Sequence, residues 1–204
     1  MNKNIVICTS PRSGSQWLSE CIRLGGLGKC AEWMAEDIVN GRKHPTCNFP
    51  LVLHGWLAAR ASKYINWNNV TVVYLRRLDI DAQAVSWFRA INGKRWNSDF
   101  PEDSLSFEHY NFHRIMELRS SILEYRSVWQ LLFKKHNIKP IKVSYERLAG
   151  NGFEMVNLIE RLGGKIDPNG PSPHLKIQRD NLNRRWLERF RQEVKAGYRI
   201  EIPV

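Results

Sequence analysis

The sequence of 204 residues lacks the long apolar runs of a membrane span, since no stretch approaches about eighteen apolar residues. The apolar run before Arg12 is too short for a secretory signal. Its four cysteines stand at irregular spacings without a CxxC pair, which argues against a disulfide framework or a zinc site. It has no repeat or biased segment, which excludes a solenoid or a collagen. We therefore expect a soluble, cytoplasmic, globular protein with reduced thiols.

Acidic residues are scarce relative to basic ones. The chain has 20 Asp and Glu against 31 Lys and Arg, a formal net charge of +11. Such an excess predicts an anionic partner or substrate: nucleic acid, a membrane surface or a phosphorylated small molecule. The length suits one ordinary domain and no linker divides the chain, so we predict a single domain over residues 1–204.

Short apolar runs alternate with helical patterns along the chain. Strands are predicted at 5–8, 51–54, 70–75 and 141–145, and helices at 15–24, 57–64, 79–91, 109–136, 153–162 and 182–195. This alternation predicts an α/β domain with a mainly parallel sheet flanked by helices. Ligands of such sheets lie beyond the carboxyl ends of the strands, which directs attention to residues 9–15, to residues 76–79 and to the stretch after Tyr145.

The segment TSPRSGSQW, residues 9–17, joins the first strand to the first helix and has the features of an anion-binding loop. Gly14 permits close approach of a ligand, Ser13 and Ser15 offer hydroxyls, and the helix N-terminus carries partial positive charge. Arg12 among these donors favours an oxyanion ligand. The loop is not a Walker A loop, because it has one Gly and no Gly-Lys-Ser/Thr. A serine-capped turn without a ligand is the structural alternative.

The segment YLRRLDIDAQAVSWFRA, residues 74–90, contributes a second basic group. A strand ends in Arg76 and Arg77, and a helix follows on which Ser86 and Arg89, three residues apart, share a face. Guanidinium groups match phosphate oxygens two at a time, so this set predicts phosphate binding. A solvated basic strand end is the simpler alternative.

Together the two segments resemble motifs of the PAPS-dependent sulfotransferase family. TSPRSGSQWL is similar to the family's loop for the 5′-phosphosulfate. LRRLDIDAQAVSWFRAINGKRW resembles its 3′-phosphate segment in the bacterial variant typified by trehalose 2-sulfotransferase. VSYERL at 143–148 and QRDNLNRRWLERF at 178–190 resemble two further motifs, and all four follow in the family's order.

The resemblance implies a single-domain, P-loop-like three-layer fold and a defined reaction. A sulfuryl group would move from 3′-phosphoadenylyl sulfate (PAPS), leaving 3′-phosphoadenosine 5′-phosphate (PAP), to a hydroxyl of a saccharide or glycolipid acceptor. The 5′-phosphosulfate would be held by Arg12, Ser13, Gly14, Ser15 and Gln16. The 3′-phosphate would be held by Arg77 and Ser86, with Arg76 as the alternative to Arg77. Trp17 would border the adenine or belong to the core.

For catalysis, Glu32 falls where the family's proposed catalytic carboxylate lies, and it would accept the proton of the acceptor hydroxyl. Glu36 and Asp37 are rivals, because the Pro that commonly follows the family's Glu is absent. His54 stands where many sulfotransferases carry a Lys and is a further candidate base. Arg12 and the loop N–H groups would neutralise developing charge. In-line transfer by positioning and charge neutralisation requires no metal. We expect no nucleic-acid partner and no stable membrane insertion, and the resemblance implies a homodimer.

Two other functions explain part of the sequence. A P-loop nucleotide kinase or hydrolase would account for the loop, but Arg76 and Arg77 occupy the strand end where a metal-binding carboxylate would help. A nucleic-acid-binding module would account for the net charge and for the basic segment 176–199, but not for the ordered motifs.

Overall fold

A computed structural model describes residues 4–30, 50–96, 99, 104–167 and 180–197. The chain divides into two compact units. The first comprises residues 1–78 and 122–175, and the second comprises residues 79–121 and 176–204. The assignment of residues 1–204 to a single domain stays a prediction.

The first unit is built around a four-stranded parallel sheet. Its strands are β1 (Asn4–Thr9), β2 (Leu51–His54), β3 (Val70–Arg76) and β4 (Ile141–Ser144), in the spatial order β2-β1-β3-β4. The inner strands are continuous apolar runs because a parallel sheet covered on both faces buries successive side chains. All four predicted strands are confirmed, and β4 ends one residue early because Tyr145 begins a helix.

The helices follow the predicted order with small shifts at their ends. They are α1 (Ser15–Leu24), α2 (Gly55–Ala61), α3 (Ile80–Asn92), α4 (Phe112–Lys135), α5 (Tyr145–Gly150), α6 (Gly152–Arg161) and α7 (Asn181–Lys195). Helix α2 begins two residues before the predicted start and ends at Ala61, three residues before the predicted end. Helix α4 begins after a 3-10 turn at Phe107–His109, so its predicted start at residue 109 was three residues early. The short helix α5 was not predicted.

Two apolar clusters place helices on both faces of the sheet. On one face, Cys8, Leu53 and Tyr74 pack with α2 and with the part of α4 that carries Trp129 and Phe133. On the other face, the alternate strand residues pack with apolar residues of α1, α5 and α6. Because successive strand residues point to opposite faces, each strand contributes to both clusters. The predicted α/β fold, with a parallel sheet flanked by helices, is confirmed.

The second unit contains α3, the first part of α4 and α7. The apolar stripe of α7 predicts a docked helix, and its fully buried Trp186 and Phe190 confirm it. The Trp186 ring lies 5.4 Å from that of Phe88, and the Phe190 ring lies 5.5 Å from that of Phe112. Within the described ranges, no helix has both the length and the hydropathy of a membrane span.

Candidate active site

The carboxyl ends of the strands bring several of the predicted residues to one edge of the sheet. Thr9, the last residue of β1, pairs with His54, the last residue of β2. Arg76 at the end of β3 pairs with Ser144 at the end of β4. The residues that follow these strand ends therefore lie along the same edge, where α/β folds bind their ligands. His54 and the residues that follow it form the β2 side, and Arg76 and the residues that follow it form the β3 side. The loop after β1 lies between these two sides, because β1 lies between β2 and β3 in the sheet.

The loop after β1, residues 10–14, has left-handed backbone at two positions. Arg12 has φ of 60° and Gly14 has φ of 91°. Alternation of left-handed and ordinary residues turns successive backbone N–H groups toward one concave side, which is the geometry of an anion nest. An arginine at positive φ costs about 1 kcal/mol or more, and such strain persists mainly at functional sites.

Buried hydrogen bonds fix the base of this loop. The Thr9 and Ser13 hydroxyls are bonded to one another, and Thr9 Oγ1 also donates to the carbonyl of Leu75 at 3.1 Å. The Trp129 indole donates to the carbonyl of Thr9 at 2.8 Å. Ser13 is 0% exposed and its hydroxyl is bonded to that of Thr9, so its side chain supports the loop from within.

The loop ends at the N-terminus of α1. Gly14 is the N-cap, and this cap receives no side-chain hydrogen bond. The first turn also contains no acidic residue. The first N–H groups of a helix have no partner within the helix, so an anion is the natural cap for this end. Gln16 and Trp17, in the same turn, are half buried.

Tyr145, which the sequence analysis placed in the VSYERL motif without giving it a role, packs directly on the loop. A Cβ added to Gly14 would overlap the Tyr145 ring, so only glycine leaves room for this contact. The Trp17 ring lies edge-on to Tyr145 at 6.2 Å and packs against the apolar cluster behind it. That packing favours the core alternative for Trp17. The VSYERL motif thus supplies a ring that supports the loop.

Arg76 is the last residue of β3 and Arg77 follows it, and their guanidinium groups lie over different aromatic rings. Arg77 is buried, with its guanidinium 5.8 Å from the Tyr145 ring and its Nε 3.9 Å from Glu146 Oε1. Arg76 lies over the Tyr74 ring at 5.6 Å. Within the described part of the chain, Arg76 forms no ion pair and its buried Nε has no hydrogen-bond partner. Arg76 is therefore the cation whose charge is least compensated here.

Arg126 on α4 is a third cation at this edge. Its guanidinium donates to the carbonyl of Arg77. Burial lowers the pKa of Arg126 from its ordinary value; the neighbouring Arg76 charge also lowers it, while Tyr74 and Glu146 act in the opposite direction. Charge repulsion of this kind is relieved when an anion binds. No local sequence pattern pointed to Arg126, because its contact with Arg77 joins residues 49 positions apart.

The β2 side of the loop is aromatic. His54 is buried, and its ring stacks on that of Trp56 with centroids 4.5 Å apart and planes 8° apart. The Tyr125 ring lies 5.8 Å from the Trp56 ring at an interplanar angle of 60°. Trp56 nevertheless remains 44% exposed.

The other predicted residues lie elsewhere. Glu32, Glu36 and Asp37 fall outside the described residues. Ser86 is half buried on α3 in the second unit. Arg89 of the same helix forms a 2.6 Å ion pair with Asp180. Burial acts to raise the pKa of Asp180, but the hydrogen bond from Arg89 and those from backbone N–H groups outweigh it and hold that pKa below its ordinary value.

The cysteine side chains that the structure describes are free thiols. Cys8 and Cys21 are buried, and burial raises the pKa of Cys21 to about 12, so these thiols are poor nucleophiles. In the described ranges, His, Cys, Asp and Glu side chains form no group of three or more that could hold a metal ion.

The fold is a parallel α/β fold in which a loop with left-handed backbone at Arg12 and Gly14, called here the anion loop, leads into the first helix. The Stf0 sulphotransferase family model matches residues 63–193, more than half of the chain. The chain therefore belongs to the Stf0 sulphotransferase family. The match begins after the anion loop, so the conformation of residues 10–14 is a separate observation.

Two relatives carry the same name. The chain is 26% identical over 124 residues to trehalose 2-sulfotransferase of Mycolicibacterium smegmatis, covering 61% of this chain and 46% of the relative. It is 25% identical over 127 residues to trehalose 2-sulfotransferase of Mycobacterium tuberculosis, covering 62% of this chain and 48% of the relative. The chain thus spans about half the length of these curated relatives.

Proposed function

We propose that this chain is a sulfotransferase that moves a sulfuryl group from PAPS to a hydroxyl of a sugar. The observation that carries the proposal is the uncompensated Arg76 beside an anion loop whose helix has no side-chain cap, in a chain of the Stf0 family. A bisphosphate donor would supply the negative charge that both features lack. The sugar acceptor is supported by the relatives named for trehalose.

The residues fit a donor with phosphates at two places. The backbone N–H groups of residues 12–16, with the side chains of Arg12, Ser15 and Gln16, would hold the 5′-phosphosulfate. Arg77 or Arg76, with Ser86, would hold the 3′-phosphate, and the missing ion pair favours Arg76. Bound PAPS supplies a sulfuryl group on a good leaving group, so the protein's task is positioning and neutralisation of charge.

We propose an in-line transfer. The acceptor oxygen forms a new bond to sulfur while the bond between sulfur and the phosphate oxygen of the donor breaks, and Glu32 takes the hydroxyl proton. A positioned base contributes roughly 10²–10⁴-fold. Arg12 and the loop N–H groups stabilise the charge that develops on the departing oxygen. His54 is the alternative base on the described residues, because it pairs with Thr9 directly before the loop.

Thermal shift with separate ligands tests the donor. PAP, ATP with Mg²⁺ and an oligonucleotide are each added at saturating concentration. We expect stabilisation by PAP, roughly 2.7 kcal/mol at about 100 Kd. A shift with ATP and none with PAP contradicts the sulfotransferase and favours the nucleotide kinase or hydrolase. A shift with the oligonucleotide alone favours the nucleic-acid-binding module. Labelled PAPS with a panel of trehalose, other sugars and lipid-linked glycans then tests the acceptor.

The base is tested by Glu32→Gln, which keeps the size of the side chain but cannot accept the proton. We expect kcat to fall at least about 100-fold while PAP affinity stays unchanged. His54→Asn, measured in parallel, is expected to have the smaller effect. Near-normal turnover of Glu32→Gln with intact PAP binding would show that the base is His54 or Glu36.

A homodimer and a cytoplasmic location complete the proposal. The resemblance to the sulfotransferase family supports the homodimer, and the cysteines without a CxxC pair support the location. Light scattering of the purified chain with and without PAP measures the oligomeric state.

A further inference from the structure

The two sides of the anion loop differ in chemistry, and only one of them suits a polyanionic donor. On the β3 side stand three arginines: Arg76 lies over the Tyr74 ring, Arg77 lies over the Tyr145 ring, and Arg126 donates to the Arg77 carbonyl. On the β2 side, residues 51–58 read LVLHGWLA and contain no Lys, Arg, Asp or Glu. A second ligand that binds at this edge beside the donor therefore meets an aromatic and largely uncharged surface.

Trp56 is the exposed element of that surface. One face of its indole is covered by His54 in a nearly parallel stack at 4.5 Å, yet the residue is 44% exposed. The exposed area therefore lies mainly on the opposite ring face and on the rim. A tryptophan that is exposed while stacked on a buried histidine offers a flat apolar surface held in one orientation.

Packing holds this ring in place from below and from the side. His54 ends β2 and is buried, so the ring beneath Trp56 is part of the core. A Cβ added to Gly55 would overlap Tyr125, so the backbone between the two stacked rings lies directly against α4. The Tyr125 ring meets the indole edge at 5.8 Å. A rigid aromatic surface of this kind binds with little loss of side-chain entropy.

The position of the Trp56 surface next to the loop after β1 indicates which ligand it could bind. His54 is the register partner of Thr9, the residue from which the loop begins. The reacting groups of a transfer must approach to about 3–3.5 Å. An acceptor must therefore lie next to the loop, and the β2 side is the neighbouring surface that the phosphates do not need.

We propose that the Trp56 indole, backed by His54, is the platform on which the acceptor's sugar ring stacks. The proposal rests on the proposed function and adds the acceptor subsite to it. The ring C–H groups of a pyranose would pack on the exposed face of the indole, while its hydroxyls stay free for polar contacts and for reaction. Trp56 is then a binding residue for the acceptor and makes no contact with the donor phosphates.

The test compares Trp56→Ala and Trp56→Phe with Tyr64→Ala. Tyr64 is the matched control, because it is 43% exposed in the turn after α2 and has no ring contact with His54. Steady-state turnover of PAPS is measured against trehalose, or against the panel sugar that reacts fastest. PAP affinity by calorimetry and a thermal melt are recorded for each variant.

We expect Trp56→Ala to raise the KM for the sugar about tenfold, the effect of losing one well-packed aromatic contact. Trp56→Phe should stay within about threefold of the wild type, and Tyr64→Ala within about twofold, with PAP affinity unchanged throughout. An unchanged sugar KM in folded Trp56→Ala, or an equal rise in Tyr64→Ala, overturns the platform. If the wild type binds PAP but transfers sulfuryl to no sugar, the sugar platform is also overturned. If the wild type does not bind PAP at all, the proposed function itself is refuted.

Discussion

The β2 and β3 sides of the anion loop use the same sheet edge in different ways. On the β3 side, the strand ends at Arg76, Arg77 follows it, and Arg126 of α4 adds a third positive charge. On the β2 side, the strand ends in His54 and continues into Gly55 and Trp56. One register of parallel strands thus places a cationic surface and an aromatic surface on either side of one loop. The few residues at and after the end of each strand give the two sides their different chemistry.

We expect the largest effect from a substitution in the loop between the two sides. Gly14→Ala forces a side chain into left-handed backbone, at about 1–2 kcal/mol, and pushes it into the Tyr145 ring. We expect PAP affinity to fall at least about 100-fold and the melting temperature to drop. Calorimetric titration and a thermal melt measure both.

Gly26→Ala is the matched control for this change. Gly26 also has positive φ, 75°, but a Cβ there meets nothing within 4 Å. It should lose stability by the backbone cost alone and keep its PAP affinity. Equal loss of affinity in both variants would mean that the Gly14 contact with Tyr145 does not shape the loop.

The next largest effect is expected from substitutions of Arg76 and Arg77, which should differ in whether they change PAP affinity or stability. Arg76→Met should weaken PAP binding about 10- to 100-fold and flatten its salt dependence, because a charged contact with phosphate is lost. The fold should keep its stability, since Arg76 forms no ion pair among the described side chains. Arg77→Met should lower stability, because Arg77 is buried between Tyr145 and Glu146. The measurements are calorimetry at two salt concentrations and urea unfolding.

The opposite result would reassign the phosphate. If Arg77→Met loses PAP affinity at unchanged stability while Arg76→Met binds normally, Arg77 holds the 3′-phosphate and Arg76 belongs to a solvated strand end.

The smallest expected effect concerns Arg126. Arg126→Met removes a charge and the hydrogen bond to the Arg77 carbonyl, so PAP affinity should fall about tenfold. Arg126→Lys restores the charge without the planar fork and should recover part of that loss. Arg114→Met is the control on the same helix, because Arg114 lies in an exposed pair with Glu117. If Arg126→Met and Arg114→Met bind PAP with equal affinity, Arg126 does not contribute to PAP binding.

Much of the fold was predictable because the strands are short, continuous and rich in branched residues. VTVVYL, for example, is apolar on both faces of the sheet. The boundary at Tyr145 was missed because IKVSY keeps an alternating pattern up to the point where the helix begins.

The site was predictable only where it is local in sequence. Gly14 and the serines of the loop follow one another, so their combination is visible in the chain. Arg126 and Trp129 reach the edge from a helix that the sequence shows only as an apolar stripe. Trp129 bonds to Thr9 across 120 positions, and no local pattern reveals such a contact.

Helix α4 has a consequence for how such an enzyme could change its substrate. Two consecutive residues of this helix reach the two sides, since Tyr125 meets Gly55 and Trp56 while Arg126 bonds to the Arg77 carbonyl. If the β3 side holds the donor and the β2 side the acceptor, as proposed, this one helix contacts both binding surfaces. Substitutions at position 125 would then change the acceptor contacts while Arg126 keeps its bond to the Arg77 carbonyl, so acceptor preference could change without loss of the donor contacts.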